Sequence, residues 1–344
     1  MTINACGWKI SLAIMIAAFF AQSLLSHSVE ESTPRKLKYL DVDFSSTKHK
    51  YSEKCVQIDI IDHRIAVKNK ELIVSEYGCR GRIGNKIGDI IYIYGGPYQS
   101  LGEFPDPNLA TFMMAGYDVF VPIYTGSFEN TIATKTGLNE ENTFGGGELE
   151  IAAGEVAATV GWLRNKNAQL GFETILAGES AGGYVAGLAC VSKCTDRLLL
   201  ISPLMQSPMD FWKNYGKRAA KKRDKDYYKY VGRSKDSKKA EESAAMLASI
   251  GFYGTKYRNT DIAYFIERMP TNIVKRIFVG DRDPRIGVSN SKKLQKMSGS
   301  HNVVLSFFPD KEHRVIQTAP DGGADLIAWL RKEPPTPPPS AAPR

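Results

Sequence analysis

A chain of 344 residues with 43% hydrophobic and 24% charged residues has the composition of a globular protein with a sizeable core, which excludes a fibrous or wholly disordered chain. Its formal net charge is +8, from 45 Lys and Arg against 37 Asp and Glu. The segment from Lys213 to Lys239 alone holds twelve basic and three acidic residues, so the rest is close to neutral and the chain as a whole does not read as a nucleic-acid binder.

Residues 1–28 differ from everything that follows. Lys9 precedes an apolar run, Ile10 to Phe20, and small or polar residues continue through Ser28. That order is a signal peptide and implies a secreted or periplasmic protein. The run is short for a membrane span; an uncleaved N-terminal anchor is the alternative. Four cysteines then remain, Cys55, Cys79, Cys190 and Cys194. An even count in an exported chain is compatible with two disulfides. Cys55 and Cys79 flank strand-like runs that suit a bridge, whereas Cys190 and Cys194, four apart near a helix end, suit either a bridge or two buried thiols. No CxxC spacing and no His/Cys cluster points to a metal, and no motif calls for a cofactor.

Residues 29–85 read as an extension followed by short strands at 56–61, 65–67 and 72–77. From 86 to 332 strands and helices alternate. A strand at 89–94 ends in Gly95-Gly96-Pro97. A helix at 109–115 and a strand at 116–124 follow, then a helix at 148–165 with Ile151, Val156, Val160 and Leu163 as its apolar positions. A strand at 174–177, a small-residue helix at 181–191 and a strand at 197–204 come next. Strands at 276–280 and 303–308, separated by a helix near 289–297, precede a closing helix at 324–331. The alternation predicts an α/β fold, a mainly parallel sheet with helices on both faces. Residues 213–243 are a basic insertion in the cap position, either a solvated excursion or a contact for an anionic partner, whether lipid, cell-wall polymer or nucleic acid. Residues 333–344 are a proline-rich tail expected to be disordered.

Between the strand at 174–177 and its helix stands Gly178-Glu179-Ser180-Ala181-Gly182. The string G-x-S-x-G alone is a weak signal, but a buried strand before it and a tightly packing helix after it make the nucleophile elbow of the α/β-hydrolases. A serine hydroxyl needs a base to take its proton and a third group to orient that base. In this fold they follow in the order Ser, Asp, His. The strand at 276–280 ends in Asp281-Arg282-Asp283-Pro284, and the loop after the last strand carries His313. Asp283, turned by the following proline, is the orienting carboxylate of choice, with Asp281 as a brace; His301 opens a strand and should be fixed in the sheet. The backbone N–H of Ala181 is the first oxyanion donor by the geometry of the elbow. Glu179 and Tyr184 read as structural neighbours of the elbow.

Several of these segments together resemble the catalytic domain of the prolyl oligopeptidase family of serine peptidases, from about Asp89 to Arg331. Gly116-Tyr117-Asp118-Val119-Phe120-Val121-Pro122 is similar to the family's strand motif, Gly178 to Tyr184 to its elbow, and Ile201-Ser202-Pro203 to the segment after the next strand. The resemblance implies an α/β-hydrolase fold and puts Tyr94, before Gly95-Gly96-Pro97, in the position of a phenol that donates to the oxyanion; a packing tyrosine at a strand end is the alternative. Two departures limit what carries over. Only about 60 residues precede the hydrolase body, too few for the family's β-propeller, and Thr125 stands where the family often has arginine. The function implied is a serine hydrolase acting on small peptides or esters, with the peptidase favoured. A carboxylesterase is the alternative, and a non-catalytic binding protein of the same fold the more distant one.

Overall fold

The computed structural model describes residues 35–36, 57–68, 70–80, 85–95, 107–125, 148–211, 256–283, 293–298, 300–308, 313 and 322–332. The signal-peptide residues, Cys55, the insertion at 213–243 and the tail at 333–344 lie outside the described residues. The elements are β1 (Arg35–Lys36), β2 (Gln57–Val67), β3 (Lys70–Arg80), β4 (Gly88–Ile93), α1 (Pro107–Met114), β5 (Tyr117–Pro122), α2 (Glu148–Leu170), β6 (Glu173–Glu179), α3 (Gly182–Ser192), β7 (Arg197–Ile201), α4 (Ile262–Ile266), β8 (Val274–Gly280), β9 (Val303–Phe308) and α5 (Gly322–Arg331).

The nine strands form one sheet in the order β1-β2-β3-β5-β4-β6-β7-β8-β9. From β5 to β9 every neighbouring pair is parallel, and β1, β2 and β3 join antiparallel at one side. The chain leaves β4 toward the hairpin side to make β5, then crosses back to place β6 on the other flank of β4. The carboxyl ends of β4 and β6 therefore flank a topological switch point, the place where open α/β sheets gather ligands.

Alternation of side chains sorts the core into two layers. Ile91 and Ile93 face α2, α3 and α4 together with Ile65, Leu72 and Val74 of the hairpin. Ile90 and Tyr92 face α1 and α5. With both faces covered, all of β4 is buried, as its near-continuous apolar run requires. Among the described residues no helix is long and apolar enough to cross a membrane.

The structure corrects the sequence reading in four places. The runs at 56–61 and 65–67 are one strand, β2, paired in full with β3 around a turn at Lys68, whose φ is +53°. The polar stretch Asp62-His63-Arg64 does not interrupt it because β3 supplies a partner for each. Ser75 donates to Asp62 at 2.7 Å, His63 Nε2 meets Glu76 at 2.6 Å, and Arg64 donates to Glu71 at 3.0 Å. In α2 the inward positions are Leu149, Ala152, Ala153, Val156, Ala157, Val160 and Leu163; Ile151 is 52% exposed, because the alanines and Leu149 set the buried stripe. The strand β7 ends at Ile201 rather than 204, because Ser202 turns into the left-handed region at φ +42° ahead of Pro203. His301 lies in the turn before β9, not in the strand, with its N–H bonded to Met297 O.

Cys190 and Cys194 are joined in a disulfide at the end of α3. Cys79 is disulfide-bonded too.

Candidate active site

Ser180 follows the last residue of β6 and adopts φ +50°, a conformation that a side chain bearing Cβ rarely takes. Three backbone bonds hold it there. Ser180 N–H donates to Ile201 O at 3.0 Å, and Ser180 O accepts from Gly183 and Leu204 N–H, each at 3.1 Å. The flanking glycines are forced by close approach. A Cβ on Gly178 would come within 2.8 Å of Ala186 Cβ and of Gly182 O, and one on Gly182 would fall on the carbonyl oxygens of Ile93 and Tyr94. The second contact also locates Tyr94: the carboxyl end of β4 lies directly against the first residue of α3.

The turn leaves two groups unspent. Among the described residues nothing accepts the Ala181 N–H, and the Ser180 hydroxyl has no hydrogen-bond partner, His313 included.

At the carboxyl end of β8 the loop turns Asp281 outward and Asp283 inward. Asp281 N–H is fixed to Phe308 O at 3.2 Å and Asp283 N–H to Gly280 O at 3.2 Å. Asp281 is exposed, whereas the Asp283 side chain is fully buried. Asp283 Oδ2 lies 2.5 Å from His313 Nδ1, and the imidazole is 14% exposed. A buried carboxylate on one ring nitrogen fixes the ring and leaves Nε2 to face whatever enters the site. His301 stands at the amino end of β9, on the opposite rim of the sheet, where its carbonyl accepts from Lys275.

Tyr94 is 6% exposed and packs in the α1/α5 layer, its ring edge-to-face with Tyr92 at 4.8 Å. Gly96 and Pro97 lie outside the described residues. Thr125 is held by Glu155, buried in α2, which accepts from Thr125 N–H at 2.7 Å and from its hydroxyl at 2.9 Å. Lys70, reaching from the hairpin, pairs with the same carboxylate. Tyr184 ties the elbow helix to the stretches flanking residues 212–255. Its hydroxyl lies 2.7 Å from Gln206 O and 2.6 Å from Thr260 O, and Met209 N–H bonds Arg258 O beside them. Among the described residues no group of three His, Cys, Asp or Glu side chains is placed to hold a metal.

One carboxylate next to the serine carries more than its place in the motif suggests. Glu179 accepts from Tyr92 OH at 2.6 Å and from Asn108 Nδ2 at 3.1 Å. Neither partner is marked by any motif; the available signal is a carboxylate following the apolar run Ile175-Leu176-Ala177 at the end of the strand.

No protein-family model matches the chain, and no curated protein sequence matches it. Solved structures do. An esterase from the archaeon Pyrococcus furiosus superposes with a TM-score of 0.54 at 16% identity, over 88% of this chain and 98% of that one. A fungal esterase from Rhizomucor miehei gives 0.54 at 15% identity, over 82% and 85%. A hyperthermophilic esterase from Pyrobaculum calidifontis gives 0.53 at 14%, over 82% and 87%. The fold is that of the α/β-hydrolases. Ser180, Asp283 and His313 follow β6, β8 and β9 in that chain order.

Proposed function

We propose that the chain is a serine hydrolase that cleaves a carboxylic ester through an acyl-enzyme. The observation that carries this reading is the pairing of a strained, backbone-locked Ser180, with the Ala181 N–H held unspent beside it, and a buried Asp283–His313 pair on the same rim of the sheet. Ser180 Oγ attacks the carbonyl carbon while His313 Nε2 takes its proton. The tetrahedral oxyanion receives Ala181 N–H and, in this reading, the Tyr94 phenol. The intermediate collapses, and the imidazolium returns its proton to the departing alcohol. Water then repeats the sequence to release the acid. Asp283 holds the imidazole in the useful tautomer and balances its positive charge.

Likeness to esterases supports an ester as substrate. A prolyl-oligopeptidase-like peptidase is the second reading, supported by the motifs around Tyr94, Tyr117 and Ser180. Parallel turnover of p-nitrophenyl acetate, butyrate and octanoate and of Xaa-Pro p-nitroanilides separates them. The ester reading expects kcat/KM for the best ester to exceed that for the best amide by at least about 10³-fold; amide turnover within about 10-fold of the ester rate overturns it in favour of the peptidase. Export to an oxidising compartment forms part of the proposal, and the disulfide at Cys190 and Cys194 and the bonded state of Cys79 support it.

A further inference from the structure

We infer that Glu179 is a positioning residue that fixes the carboxyl end of β4, and with it Tyr94, against the nucleophile. The inference rests on the serine-hydrolase reading above. Glu179 is bonded in the chain to Ser180, so any group that its carboxylate holds is held at a set distance from the elbow. What it holds is a triangle. A single oxygen, Oε2, accepts from Tyr92 OH at 2.6 Å and from Asn108 Nδ2 at 3.1 Å, and Asn108 Nδ2 also donates to Tyr92 OH at 2.9 Å. Tyr92 and Asn108 are almost completely buried, so removing the carboxylate takes a charged acceptor away from two buried donors.

The two partners have distinct places in the chain. Tyr92 is in β4, two residues before Tyr94 and on the same face of the strand. Its ring packs edge-to-face against Tyr94 at 4.8 Å and against Phe112 of α1 at 5.3 Å. Asn108 is at the start of α1. The carboxylate therefore ties the elbow to the end of one strand and the start of the next helix, and the absence of a Cβ at Gly182 lets the Tyr94 carbonyl lie close against the start of α3. Oxyanion stabilisation depends on donors fixed where charge develops, and a shift of about 1 Å in a donor is felt mainly in the transition state. A packing role alone would lower stability and leave transition-state binding intact. Hydrogen bonds that set a donor's place alter kcat selectively.

The test uses the purified mature chain with p-nitrophenyl butyrate as substrate, a trifluoromethyl ketone as tetrahedral analogue and circular dichroism for Tm. Glu179→Ala is expected to lower kcat by about 10- to 100-fold with KM within about 3-fold, and to weaken the analogue by the same factor as kcat. Glu179→Gln keeps an acceptor at the same place without the charge, and is expected to restore kcat to at least about a third of wild type. Tyr92→Phe, a milder change, is expected to lower kcat by about 3- to 10-fold, and much less than additively with Glu179→Ala. Glu179→Ala with full kcat and a lowered Tm overturns the inference, as does a Glu179→Gln variant as slow as Glu179→Ala, which would assign the effect to charge. If Glu179→Ala does not fold, Tyr92→Phe with unchanged kcat and analogue affinity overturns it equally. Wild-type protein that turns over no ester or amide and takes no fluorophosphonate would overturn the serine-hydrolase reading itself and the inference with it.

Discussion

The two rims of the sheet treat their polar groups in opposite ways. At the amino-terminal rim donors are spent on the protein itself. Arg197, the first residue of β7, donates to both carboxylate oxygens of Glu173 at 2.9 and 2.6 Å and to the carbonyls of Trp329 and Leu330 at 2.7 and 2.8 Å, with its guanidinium over the Trp329 ring. Lys275, fully buried in β8, gives one proton each to the carbonyls of Pro270, Ile273 and His301 at 2.8 to 2.9 Å. Lys86 bridges Asp89 and Asp118 at 2.6 and 2.9 Å. At the carboxyl rim the Ala181 N–H and the Ser180 hydroxyl are kept unspent among the described residues, and Gly178 and Gly182, lacking a Cβ, let the neighbouring backbone close in around the turn. Satisfied groups make a rim that stabilises; reserved donors make a rim that can receive a reacting oxygen.

This contrast is open to attack from both sides. The largest effect is expected at the carboxyl rim. Asp283→Asn leaves the ring in place but favours the wrong tautomer, and should reduce ester turnover by about 10⁴-fold with Tm nearly unchanged. Asp281→Asn, two residues away and exposed, should change turnover by less than about 2-fold. Equal losses from the two would end the distinction drawn between them.

At the amino-terminal rim the expected effects reverse. Arg197→Leu removes the main partner of the Glu173 carboxylate, leaving Tyr117 and Lys332 on it, and should cost about 3 kcal/mol in urea unfolding, with kcat of the folded fraction unchanged. A matching loss of kcat would mean that the two rims are coupled.

The smallest expected effect is a pH dependence. Burial alone would raise the Glu173 carboxyl, but the hydrogen bonds and charge of Arg197, helped by Lys332, hold it below its ordinary value near 4.5. Glu76 is likewise pulled below that value, its His63 hydrogen bond and the charge of Lys166 outweighing burial. Groups depressed in the folded state contribute stability that is fully present above about pH 4.5 and lost as pH falls below it. Thermal melts between pH 3 and pH 7 should show that decline in wild type and a shallower one in Arg197→Leu. Equal slopes would detach Glu173 from the effect.

Much of this arrangement is legible in the sequence where the signal is local. The strand at 303–308 and the break between strand and helix at Ser180 are written in apolar runs and glycines. Ile151 misleads because an apolar side chain marks a helix face only when its neighbours agree, and in α2 the small alanines decide which face packs. Asp62, His63 and Arg64 resemble a break until the strand that answers them, about ten residues later, is paired. The contact between Asp283 and His313 spans 30 residues and depends on how two loops leave adjacent parallel strands. The Glu179 triangle is less legible still, since it joins three elements through side chains that belong to no motif.

The most direct measurement is covalent. Wild-type protein incubated with a fluorophosphonate should gain one adduct, which peptide mass spectrometry places on Ser180, and Ser180→Ala, folded with an unchanged Tm, should gain none. An adduct of equal yield on Ser180→Ala, or a folded wild-type protein that takes no probe, would contradict the assignment of this rim as a working active site.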